Sequence, residues 1–143
     1  ACDIIVAAEN AQFGLPEPTV GLMAGGGGVH RLPRQLPLKL AMGMLLTGKP
    51  VTAKRAYEIG IANEVVPLKD LMEAADRWAK DIMRCAPLSV QSSKQCSMVG
   101  LTLSLDHAIM RNYPAQDEMR GSEDWIEGPK AFAEKRTPQW KGK

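Results

Sequence analysis

Glu17 stands in the run Phe13-Gly14-Leu15-Pro16-Glu17-Pro18, and four consecutive glycines, Gly25 to Gly28, begin eight residues after it. A carboxylate beside backbone stripped of side-chain cover is suited to proton transfer. Pro16 fixes its own φ and Pro18 disfavours the helical region for the residue before it, so the pair predicts an extended backbone at Glu17. The glycines reach conformations closed to other residues and leave their N–H groups bare. A helix opening at Val29-His30-Arg31-Leu32 would aim its positive end and unsatisfied N–H groups back toward Glu17. An acyl or phosphate oxygen could be held there. From pattern alone, a lone Glu in a Pro-rich turn reads first as an ordinary solvated loop residue. His30, with no second His nearby and no acidic residue to orient it, reads as structural or surface.

Other chemistries are excluded more easily. Gly43-Met44-Leu45-Leu46-Thr47-Gly48-Lys49-Pro50 comes within one residue of a Walker A motif. Pro50 occupies the position that needs a hydroxyl on Mg²⁺, and the glycines fall at a helix end rather than between strand and helix. Three cysteines, Cys2, Cys85 and Cys96, form no CxxC pair and imply neither a disulfide framework nor a metal site. They are expected to be buried free thiols in a reducing cytoplasm. A formal charge of +2, evenly spread, with 5% aromatic residues, argues against nucleic acid as a partner. No apolar run approaches the roughly 20 residues of a membrane span.

The elements that must position Glu17 follow in order. Ala1 to Ala8 reads as a buried strand needing neighbours on both sides, and a short extended piece covers Gln12 to Gly14. Leu38, Ala41, Met42 and Leu45 fall on one helical stripe, with Pro37 near the first turn and Gly48 as the stop. Thr52 caps a short helix through Glu58, Gly60 ends it, and Asn63 to Val66 is a brief strand closed by Pro67. From Leu68 onward the pattern is helical. Leu71, Ala74, Ala75, Trp78 and Ile82 share a stripe, a second helix starts at Pro87-Leu88, and a third covers roughly Leu103 to Met119 with a break near Pro114. The expected division is therefore 1–66 and 67–143. Ser122 with Glu123 and Asp124 announces the last helix, on which Trp125, Pro129 and Phe132 face one way.

Three motifs, FGLPEPTVGLMAGGGGVHRLPRQ, LLTGKPVTAKRAYEIGIANEVVP and SEDWIEGPKAFAEKRTPQWKGK, together resemble the C-terminal half of the enoyl-CoA hydratase/isomerase (crotonase) superfamily. The resemblance covers essentially the whole chain, and its last block is most like bacterial hydratases and carnitinyl-CoA dehydratases. It implies an α/β fold: the C-terminal part of a ββα spiral in 1–66, then a helical region in 67–143 that makes a trimer or a dimer of trimers. It implies an acyl-CoA substrate, no separate cofactor or metal, no membrane or nucleic-acid partner, and a cytoplasmic enzyme. The upstream half, with another catalytic Glu and both donors to the thioester oxygen, is expected to precede Ala1. Residues 1–143 alone are accordingly expected to be inactive and poorly soluble, because open sheet edges aggregate.

By the same resemblance Glu17 protonates the α-carbon of an enoyl thioester, and the Gly25 N–H helps to place the water. An apolar pocket from Leu15, Leu22, Met23 and the prolines would raise the Glu17 pKa toward the operating pH. Phe132 and Lys135 match positions near the CoA nucleotide, although Phe132 reads equally as core packing. An isomerase, a carnitinyl-CoA dehydratase-like lyase and a catalytically silent scaffold are the alternatives. The run Ala24-Gly25-Gly26, where relatives often have Pro-Gly-Ala, favours the last of these.

Overall fold

Two small sheets are built from strands of two or three residues, and helices account for most of the remaining ordered chain. The computed structural model describes all residues 1–143. Strand β1 (Val6–Ala8) pairs in parallel with β4 (Glu64–Val66), Val6 opposite Glu64 and Ala8 opposite Val66. Strand β2 (Gln12–Phe13) runs antiparallel to β3 (Val51–Thr52). Parallel pairing demands a long crossover. Here it includes a 3-10 helix (Glu17–Val20), α1 (Gly28–Gln35), α2 (Leu38–Thr47) and α3 (Ala53–Glu58). After β4 come a 3-10 turn (Leu68–Asp70), α4 (Leu71–Met83), α5 (Pro87–Gly100), α6 (Leu105–Met110), α7 (Pro114–Arg120) and α8 (Glu123–Ala133). The chain divides into two compact units, Ala1–Arg77 and Trp78–Lys143, and the division falls inside α4.

The core of the first unit is made largely of alanine. Ala7, Ala53, Ala56 and Ala62 are buried together, with Ile5, Phe13 and Val65 packed around them. Small side chains let α3 lie close to β1. A second cluster joins Leu36, Ala41 and Met44, and Val51 and Ile61 touch both clusters. Asn63 extends the parallel ladder: its Oδ1 accepts from the Ile5 N–H at 2.8 Å while its own N–H donates to the Ile5 carbonyl at 2.7 Å. Arg77 of α4 pairs with Glu64 of β4. Thr52 caps α3 as expected, accepting from the Arg55 N–H at 3.2 Å.

Several expectations need correction. The β1 strand is shorter than Ala1 to Ala8, and Cys2 and Cys85 are exposed free thiols, with only Cys96 partly covered. Cys2 precedes the ladder, and Cys85 follows the end of α4, so neither has a core to enter. On α2 the buried positions are Ala41 and Met44, while Leu38 and Met42 face outward. The face is set by where Leu32, Ile59 and Ile61 lie. Ile82 likewise lies on the open end of its stripe. The break expected near Pro114 is present and divides the third helical stretch into α6 and α7, because Tyr113 precedes a proline and is extended (φ −118°, ψ 125°).

In the second unit α5 packs on α6 and α7. Gln95 Oε1 accepts the Ala115 N–H at 3.0 Å, and the buried Tyr113 donates its hydroxyl to the Ala108 carbonyl at 2.9 Å. Residues 136–143 fold back along α8. Asp124, 5% exposed, accepts the Lys141 N–H at 2.7 Å on one oxygen and the Gly142 N–H at 2.9 Å on the other. Glu127 receives the Arg136 guanidinium through two bonds, at 2.6 and 2.9 Å, and the Gln139 N–H at 2.9 Å. Trp140 donates to the Arg84 carbonyl at 2.7 Å and lies against Gly128, where a Cβ would approach the indole to 3.3 Å.

The Arg136 bonds, then the Gln139 N–H, lower the Glu127 pKa from the ordinary 4.5 to about 2. A carboxylate that releases its proton more readily folded than unfolded stabilises the fold fully above its ordinary pKa and loses that effect as pH falls through the folded value. The tail should therefore stay seated at neutral pH and loosen between about 4.5 and about 2. Fluorescence of Trp140 in the intact protein is the measurement. Glu127→Gln should reduce the acid-dependent part of the change; an unaltered acid limb would show that Glu127 does not hold the tail.

Candidate active site

Glu17 is the first residue of the 3-10 helix, not an extended residue as the two prolines predicted. Pro16 itself is helical (φ −75°, ψ −3°), and Pro18 takes a place in the first turn where a missing N–H costs no internal hydrogen bond. Thr19 fastens the turn twice to the Pro16 carbonyl, through its N–H at 2.9 Å and its hydroxyl at 2.7 Å. Gly21 (φ 77°) ends it, and the Leu22 N–H returns to the Glu17 carbonyl at 3.0 Å. The main chain of Glu17 is thus well tied. Its side chain is half-buried, and one carboxylate oxygen, Oε2, is buried with no hydrogen-bond partner. Such an oxygen is costly to leave unmade.

Close approach of three other segments sets the position of this turn. Gly14 lies against Pro50, where a Cβ would come within 3.1 Å of the Pro50 Cα. Gly28, at the start of α1, faces Leu15, whose Cδ2 would be 2.9 Å from an added Cβ. Gly48, the left-handed residue ending α2 (φ 65°), sits on Thr19 and Pro16, with an added Cβ 2.9 Å from Thr19 Cγ2 and 3.4 Å from Pro16 Cα. The beginning of one helix and the end of the next therefore both press on residues 15–19. The near-Walker run resolves in the same way: Gly43 is inside α2 and Gly48 is its stop.

Gly25 follows on the same stretch, and its N–H donates to the Met23 carbonyl at 2.6 Å, closing a three-residue turn. Of the apolar side chains expected around Glu17, only Leu15 is partly covered; Leu22 and Met23 are each 66% exposed, because no other part of this chain lies over them. His30 is at the surface. Two residues with a bearing on the site escaped the sequence reading. Gly48 looked only like a helix stop, and Arg31, which reaches back to the glycine run, gave no signal in its type or spacing.

Phe132 and Lys135 belong to the second unit. Phe132 is 88% exposed, which overturns core packing for it, and Trp125 and Ile126 are exposed on the same helix. Beyond α8 the Arg136 N–H returns to the Ala131 carbonyl (3.0 Å) and the Lys135 N–H to the Phe132 carbonyl (3.2 Å), a left-handed helix ending usually built on glycine. Lys135 holds that place at φ 55°, which makes it the one non-glycine residue with positive φ. It lines a cleft of about 590 Å³ with Arg84, Arg136 and Trp140. Arg136 is committed to Glu127 and Glu134, whereas the Lys135 ammonium has no such partner.

The glycine contacts make a direct prediction. Gly48→Ala in the intact protein should lose about 1–2 kcal/mol for its left-handed backbone alone, and should also push the Glu17 turn away. Gly60→Ala, at φ 83° with nothing within 4 Å of its Cβ, carries the backbone cost without the collision. Denaturant unfolding should find both variants destabilised, and turnover should fall only for Gly48→Ala. Equal turnover in the two would show that the contact does not position Glu17.

The model of the enoyl-CoA hydratase/isomerase family matches residues 1–143. Among curated relatives, the (E)-benzylidenesuccinyl-CoA hydratase of Thauera aromatica is 41% identical over 99% of this chain and 56% of its own length. The carnitinyl-CoA dehydratase of Proteus mirabilis is 40% identical over 100% of the chain and 56% of its own. The crystal structure of an enoyl-CoA hydratase from Mycobacterium tuberculosis superposes with a TM-score of 0.93 at 38% identity, covering 99% of this chain and 56% of that one. The chain thus spans little more than half the length of the proteins it matches.

Proposed function

The chain belongs to the enoyl-CoA hydratase/isomerase family, and on that premise we propose that it carries half of the active site of an enoyl-CoA hydratase. The observation that carries this reading is the buried, unpartnered Oε2 of Glu17 on a turn fastened at both ends. Water adds across the 2,3 double bond of an acyl-CoA thioester: its hydroxyl goes to the β-carbon, and Glu17 delivers a proton to the α-carbon. The Gly25 N–H places the water once its turn onto the Met23 carbonyl opens. The second catalytic carboxylate, which takes the proton the water loses, and the donors to the thioester oxygen come from the upstream half of the protein. A dehydratase acting on a carnitinyl-type thioester is the second reading, favoured by the 40% identity to the Proteus mirabilis protein.

Phe132 and Lys135 serve the CoA nucleotide in this proposal, the exposed aromatic ring and the unpaired ammonium being suited to an adenine and a phosphate. The protein works as a homo-trimer or dimer of trimers in the cytoplasm. Exposed Leu101, Leu105, Ile109 and Met110 support an assembly that covers them. No helix is long and apolar enough to cross a membrane.

Glu17→Gln keeps size and hydrogen bonding but has no proton to deliver. In the intact protein a non-reactive acyl-CoA should still bind, while kcat for crotonyl-CoA hydration falls about 10²- to 10⁴-fold. Unchanged kcat would return Glu17 to the ordinary loop residues. Lys135→Gly removes the ammonium and also relieves the left-handed backbone. It should stabilise the protein by about 1 kcal/mol while weakening binding of acyl-CoA but not of a pantetheine thioester lacking the nucleotide. Equal binding losses for the two thioesters would assign Lys135 to packing or assembly.

A further inference from the structure

The four glycines have no side chains with which to hold a shape, and glycine spreads over more backbone conformations than any other residue. Something outside the run must select one of them. Arg31, the fourth residue of α1, folds its guanidinium back over the run, and Nη1 donates to the Gly26 carbonyl at 3.1 Å. Gly27 makes room for it. A Cβ there would lie 2.0 Å from Nη1 and 2.8 Å from Cζ, and the Gly27 φ of 105° is itself reserved for glycine.

The placement of Arg31 is not explained by the helix it belongs to. A cation in the first turn opposes the helix dipole. No carboxylate pairs with Arg31, and the first turn of α1 holds no acid. Its partner is a backbone carbonyl of the very loop that the hydratase reading uses. Because a peptide unit is rigid, a donor on the Gly26 carbonyl fixes the whole Gly26–Gly27 plane. The Gly25 turn onto Met23 then opens or closes next to a fixed anchor. On the other side of that anchor, the Arg31 and Val29 N–H groups bind the Gly27 and Ala24 carbonyls at 2.8 and 3.2 Å.

We propose that Arg31 is a positioning residue: by clamping the Gly26 carbonyl it anchors the four-glycine turn, so that the Gly25 N–H, once released from the Met23 carbonyl, meets the attacking water. The inference rests on the hydratase reading above, but it separates two abilities of one site. Adding water needs the loop. Moving a proton at the α-carbon needs Glu17 and the donors to the thioester oxygen but no placed water: the carboxylate of Glu17 takes the α-proton of a saturated acyl-CoA, exchanges it with solvent D₂O, and returns a deuteron to the same carbon.

The experiment uses the intact protein with Arg31→Met, which keeps an apolar stem and removes the donor, and Arg31→Lys, which restores one. Crotonyl-CoA hydration is measured beside deuterium uptake into butyryl-CoA by mass spectrometry, together with Tm and the hydrogen exchange of peptides covering 24–28. For Arg31→Met, hydration should fall about 10- to 100-fold, the cost of a misplaced reactant, with faster amide exchange in 24–28. Deuterium uptake and Tm should stay close to those of the parent, and Arg31→Lys should recover part of the hydration. Hydration and uptake falling together with Tm would overturn the proposal and make Arg31 a purely structural residue. Unchanged hydration would overturn it as well. A parent protein that does neither reaction would remove the hydratase reading, and unaltered amide exchange in 24–28 of Arg31→Met would separately remove the clamp.

Discussion

Close approach of three glycines to the residues of one turn is the constraint on which the first unit depends. Residues 14–19 are touched by the lead-in to β3 at Pro50, the start of α1 at Gly28 and the end of α2 at Gly48, and at each contact an added Cβ would come within 2.9 to 3.1 Å of a neighbouring atom. Protein interiors transmit small displacements because they are close-packed. A carboxylate mounted on such a turn inherits its precision from two helix ends and a strand lead-in. The alanine core beneath serves the same purpose: Ala53 and Ala56 let α3 lie close to β2, β3 and β4.

The second unit uses a different device. Its last residues are held along α8 by carboxylates rather than by apolar packing, with Asp124 taking two backbone N–H groups and Glu127 taking a guanidinium and a third N–H. Charge-assisted bonds of this kind are short and directional. They leave the elbow at Lys135 in a conformation that glycine would adopt more cheaply, so the strain sits at the residue that faces the cleft.

Much of this was legible from the chain alone because it follows local rules. Gly48, Gly60, Thr52 and Ser122 mark helix ends that the structure places where those residue types require. The switch from mixed strand and helix to helix alone after Val66 is also local. What the chain concealed depends on distant partners. The stripe on α2 contained the right helix and half of its covered face, Ala41 being buried, Leu45 partly covered and Leu38 and Met42 exposed, since Ile59 and Ile61 decide which residues are covered. The backbone of Glu17 obeyed the needs of a 3-10 turn over the pairwise preference of a residue before proline. Arg31 and the Asp124 clamp involve backbone carbonyls and N–H groups, whose availability leaves no trace in residue type.

The turn that carries Glu17 also separates what can vary from what cannot. Gly14, Gly28 and Gly48 are crowded against an added Cβ, while Val20, Leu22 and Met23, immediately after the turn's first residues, project outward and touch little of this chain. Substitutions at the first set displace the turn or its neighbours; those at the second are nearly free of folding cost. A lineage could therefore vary Val20, Leu22 and Met23 in many combinations while Glu17 stays in register. Evolvability of the surface beside Glu17, on this view, is a property of where the glycines are.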